Sequence, residues 1–294
     1  MSRATVNGID TYYELHGSGT PVLFIHGGYG GLTSSLVDPA DGSRAQFLAD
    51  HAQLIFYDRR SAFRSQYVTE PYTLADIADD AAALLDHLDV PEAIIVGSSA
   101  GGPVALQFAL TWPKRVKALA LPNTAPALMS LTPYADESRI TDGVRKRVAL
   151  VESQQNLVAR LNDEGAVALA ASRSSQLRDE EAARALPAAK GREDEAAAAL
   201  AALTDDEVCI YSTGEIRNIE AYAEVDFTSR LGEIDKPTFI VHGNADERVP
   251  FEYGKDLEAG IAGAEFSEID GAGHGITQNV EAQQQLAAWV DRVK

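Results

Sequence analysis

Two adjacent serines enter a glycine-rich turn behind an apolar run in IIVGSSAGG, residues 94 to 102. In the pattern G-x-S-x-G the glycines stand two residues either side of a nucleophilic serine, on a sharp turn from strand to helix. Gly97, Ser99 and Gly101 satisfy that frame. Centred on Ser98, the flanks would be Val96 and Ala100, and the frame fails. Ser99 is therefore the candidate nucleophile, with a purely structural turn as the plain alternative.

A serine hydroxyl is a weak nucleophile at neutral pH and needs a base, itself held by an acid. Of the six histidines, His274 lies in DGAGHGI, a glycine-rich loop between the last strand run and the last helical pattern. A short loop there can swing an imidazole over the strand ends. His51 and His87 read as surface residues, His16 closes the N-terminal hairpin, and His242 ends a strand and packs. The acid should follow a neighbouring strand. Asp246, in IVHGNADERVP, does so; Glu247 is its nearest rival, and the other position, after VKALALPN, offers Asn123 and no nearby carboxylate.

An oxyanion needs two preorganised donors. One expected donor is the backbone N–H of Ala100, at the start of the helix behind the serine. The other comes from HGGYGG (26–31), with Gly28 the first choice and Gly27 the second. His26 is read as a brace for that loop. Tyr29 and Phe63 are the expected pocket-lining side chains.

The elements that would hold these residues are legible from periodicity. Asn7-Gly8 between alternating segments predicts a hairpin over residues 3 to 14. Apolar runs at 21–27, 52–58, 92–98, 116–123, 236–243 and 264–270 predict strands. Helical patterns lie at 73–88, 102–112 and 280–293, and Thr73 is a plausible N-cap. Such alternation predicts a parallel sheet covered on both faces. It stops between about 131 and 232, a stretch rich in Ala and charge, periodic at helical spacing and without a strand run. We read residues 1–130 and 233–294 as one α/β core and 131–232 as a helical cap inserted before the acid-bearing strand.

Composition narrows the function classes. A net charge of −19 argues against nucleic acid, because phosphate contacts need clustered Lys and Arg. No apolar run reaches the roughly 18 residues of a membrane helix, and the first residues lack a secretory pattern. The single cysteine, Cys209, reads as a buried structural thiol and fits a cytoplasmic location. No His/Cys/Asp cluster has metal-ligand spacing, so no metal or cofactor is expected. The expected partner is a small-molecule substrate; self-association is left open.

Together, the HGG loop, GSSAG, the GNAD turn and GAGHG resemble the α/β-hydrolase superfamily across the whole chain. That resemblance implies a mostly parallel sheet flanked by helices and a triad in the order Ser99, Asp246, His274. HGGYGG followed by YDRRSAFRS (57–65) more loosely resembles the proline iminopeptidase branch, which reads HGGPGG and D-x-R-G-x-G-x-S. Asp58, Arg60 and Ser65 match; Tyr29, Ser61, Phe63 and Ala100 depart. That branch binds a substrate amino group with cap carboxylates, and EIRNIEAYAE offers Glu215, Glu220 and Glu224, to which no role is assigned. The expectation is hydrolysis of a small ester or lactone through an acyl-enzyme. Alternatives are an amino-terminal peptidase, a carbon–carbon bond hydrolase, and a receptor keeping a vestigial triad.

Overall fold

The structure, a computed structural model, describes residues 2–31, 42–129, 142–165, 167–169, 171–172, 193–223 and 225–294. In chain order its strands are β1 (Ser2–Val6), β2 (Ile9–His16), β3 (Pro21–Ile25), β4 (Gln53–Tyr57), β5 (Ala93–Gly97), β6 (Val116–Pro122), β7 (Thr238–Gly243) and β8 (Glu265–Ile269). The α-helices are α1 (Leu74–His87), α2 (Gly101–Thr111), α3 (Asp142–Glu164), α4 (Glu193–Ala202), α5 (Asp205–Tyr222), α6 (Phe251–Gly260) and α7 (Val280–Val293).

The eight strands form one sheet in the order β1-β2-β4-β3-β5-β6-β7-β8. β1 and β2 pair antiparallel through a turn in which Asn7 and Gly8 both take positive φ, 49° and 77°. β2 also runs antiparallel to β4, and every later pairing is parallel. Strand side chains alternate between two apolar layers, as a period of two requires. Leu23 and Ile25 of β3 and Ile95 of β5 join the layer holding α1, α2 and α6. Val22, Phe24, Ile94 and Val96 join the other, closed by Trp289 and Leu286 of α7. Burial on both faces explains why β5 reads as an unbroken apolar run.

Local chemistry sets the helix starts. Thr73 caps α1 in a reciprocal box with Asp76. Thr204 and Glu207 do the same for α5, which therefore begins at Asp205, earlier than the segment 215–224 singled out by its glutamates. Between β6 and β7 the described residues contain helices and no strand. The EEAARAL segment lies outside the described residues. No helix among the described residues is long and apolar enough to cross a membrane.

The antiparallel strands sit at one edge. The parallel strands β3 to β8 all point their carboxyl ends the same way, where ligand sites of open α/β sheets form.

Candidate active site

Ser99 follows β5 and sits at φ 52°, a left-handed conformation costing a non-glycine residue about 1–3 kcal/mol. The strain lies on the serine itself. The flanking glycines supply room: a Cβ on Gly101 would lie 2.1 Å from the Ile25 carbonyl oxygen, and one on Gly97 2.5 Å from the Ala105 Cβ. Ser99 is half-buried, so its hydroxyl is within reach of solvent.

That hydroxyl lies 2.9 Å from His274 Nε2. On the other side of the ring, Nδ1 is 2.8 Å from Asp246 Oδ2. With the carboxylate accepting at Nδ1, Nε2 is left to accept the Ser99 proton. Asp246 is held in turn: its Oδ1 accepts from the N–H groups of Arg248 and Val249 at 2.8 and 2.9 Å. Burial by itself would raise the Asp246 carboxyl. The nearby imidazoles of His242 and His274, with the Val249 amide, outweigh it and hold the group well below the ordinary carboxylate value. The acid is therefore ionised beside its histidine.

The other acid and base candidates lie elsewhere. Glu247 is exposed and pairs with Lys146. His51 pairs with Asp291, His16 with Glu14, and His87 is exposed against Tyr13. His242 is fully buried, as expected of a packed residue, but it also sits 3.6 Å from Asp246. Asn123 takes the place where a carboxylate was sought. Its Nδ2 donates to the His274 carbonyl at 2.9 Å, and its Oδ1 accepts from Ser98 at 3.2 Å. Ser98 thus steadies the loop carrying the histidine.

Among the described residues, the amide N–H groups of Gly28 and Ala100 donate to no protein acceptor. Ala100 caps α2, so its amide stands at the positive end of a helix. Gly27 is pressed on the nucleophile, since a Cβ there would come within 2.8 Å of the Ser99 Cβ. His26 holds this loop: Nδ1 donates to the Gly27 carbonyl at 2.7 Å, and Nε2 accepts the Arg59 amide at 3.1 Å.

Phe63 sets its ring edge-on to His26, 4.8 Å between centroids, and packs with the α7 layer. Tyr29 is partly buried, edge-on to Tyr222 at 5.1 Å. Ser61 and Phe63 stand where the iminopeptidase pattern has glycines, and both have positive φ, 55° and 46°. The matching residues brace the loop: Arg60 forks onto buried Asp80 at 2.6 Å, and Ser65 donates to the Asp58 carbonyl. Glu220 pairs with Arg217, and Glu215 packs against Gly31. Glu224 lies outside the described residues. Cys209 is only partly buried, unlike the expectation of a core thiol, because it lies on the outer part of α5.

Sequence reasoning missed Arg59 and Tyr222. Arg59 is fully buried and donates to the Tyr222 hydroxyl, at 2.5 Å, and to the Gly28 carbonyl. Tyr222 donates onward to the Ala100 carbonyl at 2.7 Å. One cation and one phenol therefore tie together the two segments that carry the candidate oxyanion donors. Nothing local could signal a contact spanning 163 residues.

The family model for the alpha/beta hydrolase fold matches residues 20–277. The chain belongs to that family. This α/β-hydrolase is 27% identical over 289 residues to a provisionally named carbamate hydrolase, RutD, of Serratia proteamaculans, with 95% of each chain covered. It is 29% identical over 279 residues to a bifunctional esterase/perhydrolase of Acinetobacter calcoaceticus, covering 92% of both. Among solved structures it superposes on a thermophilic esterase from Thermogutta terrifontis with a TM-score of 0.68. That match has 23% identity and covers 99% of this chain and 98% of the other. As an α/β-fold hydrolase, the protein is an enzyme.

Proposed function

We propose that this α/β-hydrolase cleaves a small ester or lactone by covalent acyl transfer, with Ser99 as nucleophile, His274 as base and Asp246 as its orienting acid. The observation that carries the reading is the unbroken hydrogen-bonded line from Ser99 Oγ through both ring nitrogens of His274 to Asp246. His274 takes the Ser99 proton as the hydroxyl oxygen attacks the carbonyl carbon. The amides of Gly28 and Ala100 hold the oxyanion. Collapse expels the alcohol, which receives the proton from His274, and water then repeats the sequence to release the acid. The described helices α3 and α5 serve as a cap over this end of the sheet, and Tyr29 lines the pocket beneath them.

Cleaving an ester asks less protonation of the leaving group than cleaving an amide. The pairing of Glu220 with Arg217 also leaves that glutamate engaged rather than free to hold a substrate amine. The test is a side-by-side assay of a short-chain p-nitrophenyl ester, a γ-lactone and a prolyl anilide, on wild type, Ser99→Ala and Ser98→Ala. The expected outcome is turnover of the ester or lactone, poor anilide cleavage, and a fall in kcat of several orders of magnitude for Ser99→Ala. Wild-type turnover by Ser99→Ala, with loss in Ser98→Ala, would overturn the assignment.

A further inference from the structure

His242 stands near the end of β7 and is 0% exposed, yet it is not a member of the triad. Its two ring nitrogens have unlike surroundings. Nε2 lies 2.9 Å from the Val249 carbonyl oxygen. A carbonyl only accepts, so Nε2 carries a proton and donates it. Nδ1 is buried without a hydrogen-bond partner. It faces Gly254 of α6, where a Cβ would lie 2.8 Å away, and Phe251 stands edge-on to the ring at 6.0 Å between centroids. A second proton on this ring would be buried with no acceptor. The neutral form with its hydrogen on Nε2 is therefore favoured.

The bond to Val249 closes a circuit of contacts around the acid. Val249 donates its N–H to Asp246 Oδ1 at 2.9 Å and offers its carbonyl to His242. The same Nε2 is 3.6 Å from Asp246 Oδ2, the oxygen that accepts from His274 Nδ1 at 2.8 Å. His242 thus acts on both ends of the carboxylate. It reaches Oδ1 through Val249, and Oδ2 across a gap too long for a hydrogen bond but short enough for the N–H dipole to be felt in a buried site. Arg147 of α3 adds a bond of 3.4 Å to the Arg248 carbonyl, which holds the backbone of the same turn. A charged ring at 242 would compete with His274 for Asp246. A neutral one supplies a donor and leaves the negative charge to the imidazolium that forms at His274.

We infer that His242 is a positioning residue for the proposed acyl transfer: as a neutral donor it fixes the Asp246 carboxylate so that Oδ2 meets His274 Nδ1. Fully buried, it acts through Asp246 and His274 rather than on substrate. The inference rests on the serine-hydrolase reading, and a readout in the resting protein keeps the two separable.

Two amides separate donor position from polarity. In His242→Gln the amide nitrogen falls near the place of Nε2, and in His242→Asn near that of Nδ1. His242→Met removes the donor at similar length. The measurements are kcat and KM on a p-nitrophenyl ester and the proton NMR signal of His274 Nδ1–H, identified by its absence from His274→Ala. His242→Asn and His242→Met should lose about tenfold in kcat, with KM changed by less than about twofold. In both, the proton signal should move upfield as the bond to Asp246 lengthens. His242→Gln should keep kcat within about threefold of wild type and leave the signal in place. The His242→Asn and His242→Gln pair decides the matter should His242→Met not fold. Wild-type kcat or an unmoved signal in folded His242→Asn would overturn the inference. An equal loss in all three variants would also overturn it, since lost packing alone produces that. A signal that moves as expected in a protein that turns over no ester would support the placing of Asp246 and overturn the hydrolase reading instead.

Discussion

The hydroxyl of Tyr222 links a buried cation to a backbone carbonyl: it accepts from Arg59 and donates to Ala100. Through this one oxygen, the end of α5 is tied to the turn behind the candidate nucleophile. Tyr222→Phe removes an acceptor from a buried guanidinium and a donor from a buried carbonyl. Leaving buried polar groups unpaired costs about 1–3 kcal/mol, which denaturant unfolding would register. If the segments so positioned hold the oxyanion as proposed, kcat should fall about tenfold or more, with a smaller change in KM. An unchanged kcat in a destabilised variant would limit the pair to a structural role.

Asp246 predicts a pH dependence of stability. Burial alone raises its carboxyl, but the neighbouring His242, His274 and Val249 amide depress it below the ordinary value. A depressed folded-state value means that folding favours the ionised form. Its contribution is complete above the unfolded value, near about 4, and is lost as pH falls below that. Between about pH 5 and 3, the melting temperature of wild type should therefore fall more steeply than that of Asp246→Asn. At neutral pH the same variant should lose about 10⁴-fold in kcat, since the amide no longer enforces the His274 tautomer.

Asn123 should act through the histidine loop rather than on substrate. Its backbone sits at φ 43°, so Asn123→Gly removes the side chain without adding strain. The variant loses the bond to the His274 carbonyl and the one from Ser98. The expected result is a drop in kcat of about tenfold, from a less well placed base. Ser98→Ala, which breaks only the outer bond, should fall less. Steady-state kinetics on the two variants would show whether the order holds.

Arg60 and Asp80 offer a test of stability separate from chemistry. Both are nearly fully buried and bonded twice. Removing one partner of a buried pair strands the other charge and costs about 3–5 kcal/mol. Arg60→Met should therefore destabilise strongly, and Arg60→Met with Asp80→Leu should recover much of the loss. Equilibrium denaturation of the two singles and the double measures the coupling.

Local pattern was enough for the frame of the molecule. Strand and helix positions followed from periods of 2 and 3.6, because burial on one or two faces must repeat with the geometry of the element. The choice of Ser99 over Ser98 needed only the spacing of two glycines, whose absent side chains leave room for Ile25 and Ala105. His274 and Asp246 were readable because each sits in a turn directly after a strand, and parallel strands deliver such turns to one edge. The start of α5 was also legible, in the Thr204 and Glu207 box, although attention to the glutamates of 215–224 obscured it.

What only the tertiary structure decided are the contacts made across long stretches of chain. Arg59 looked like one more basic residue of YDRRSAFRS, and Arg147 like one of several on an amphipathic helix. Their burial, and their lack of a carboxylate among the described residues, emerge only when α3 and α5 pack over the strand ends. Asn123 and His242 likewise gained their roles from neighbours that folding brought close. A side chain's type states which bonds it is able to make. Which of those bonds are made depends on distances that sequence separation does not encode.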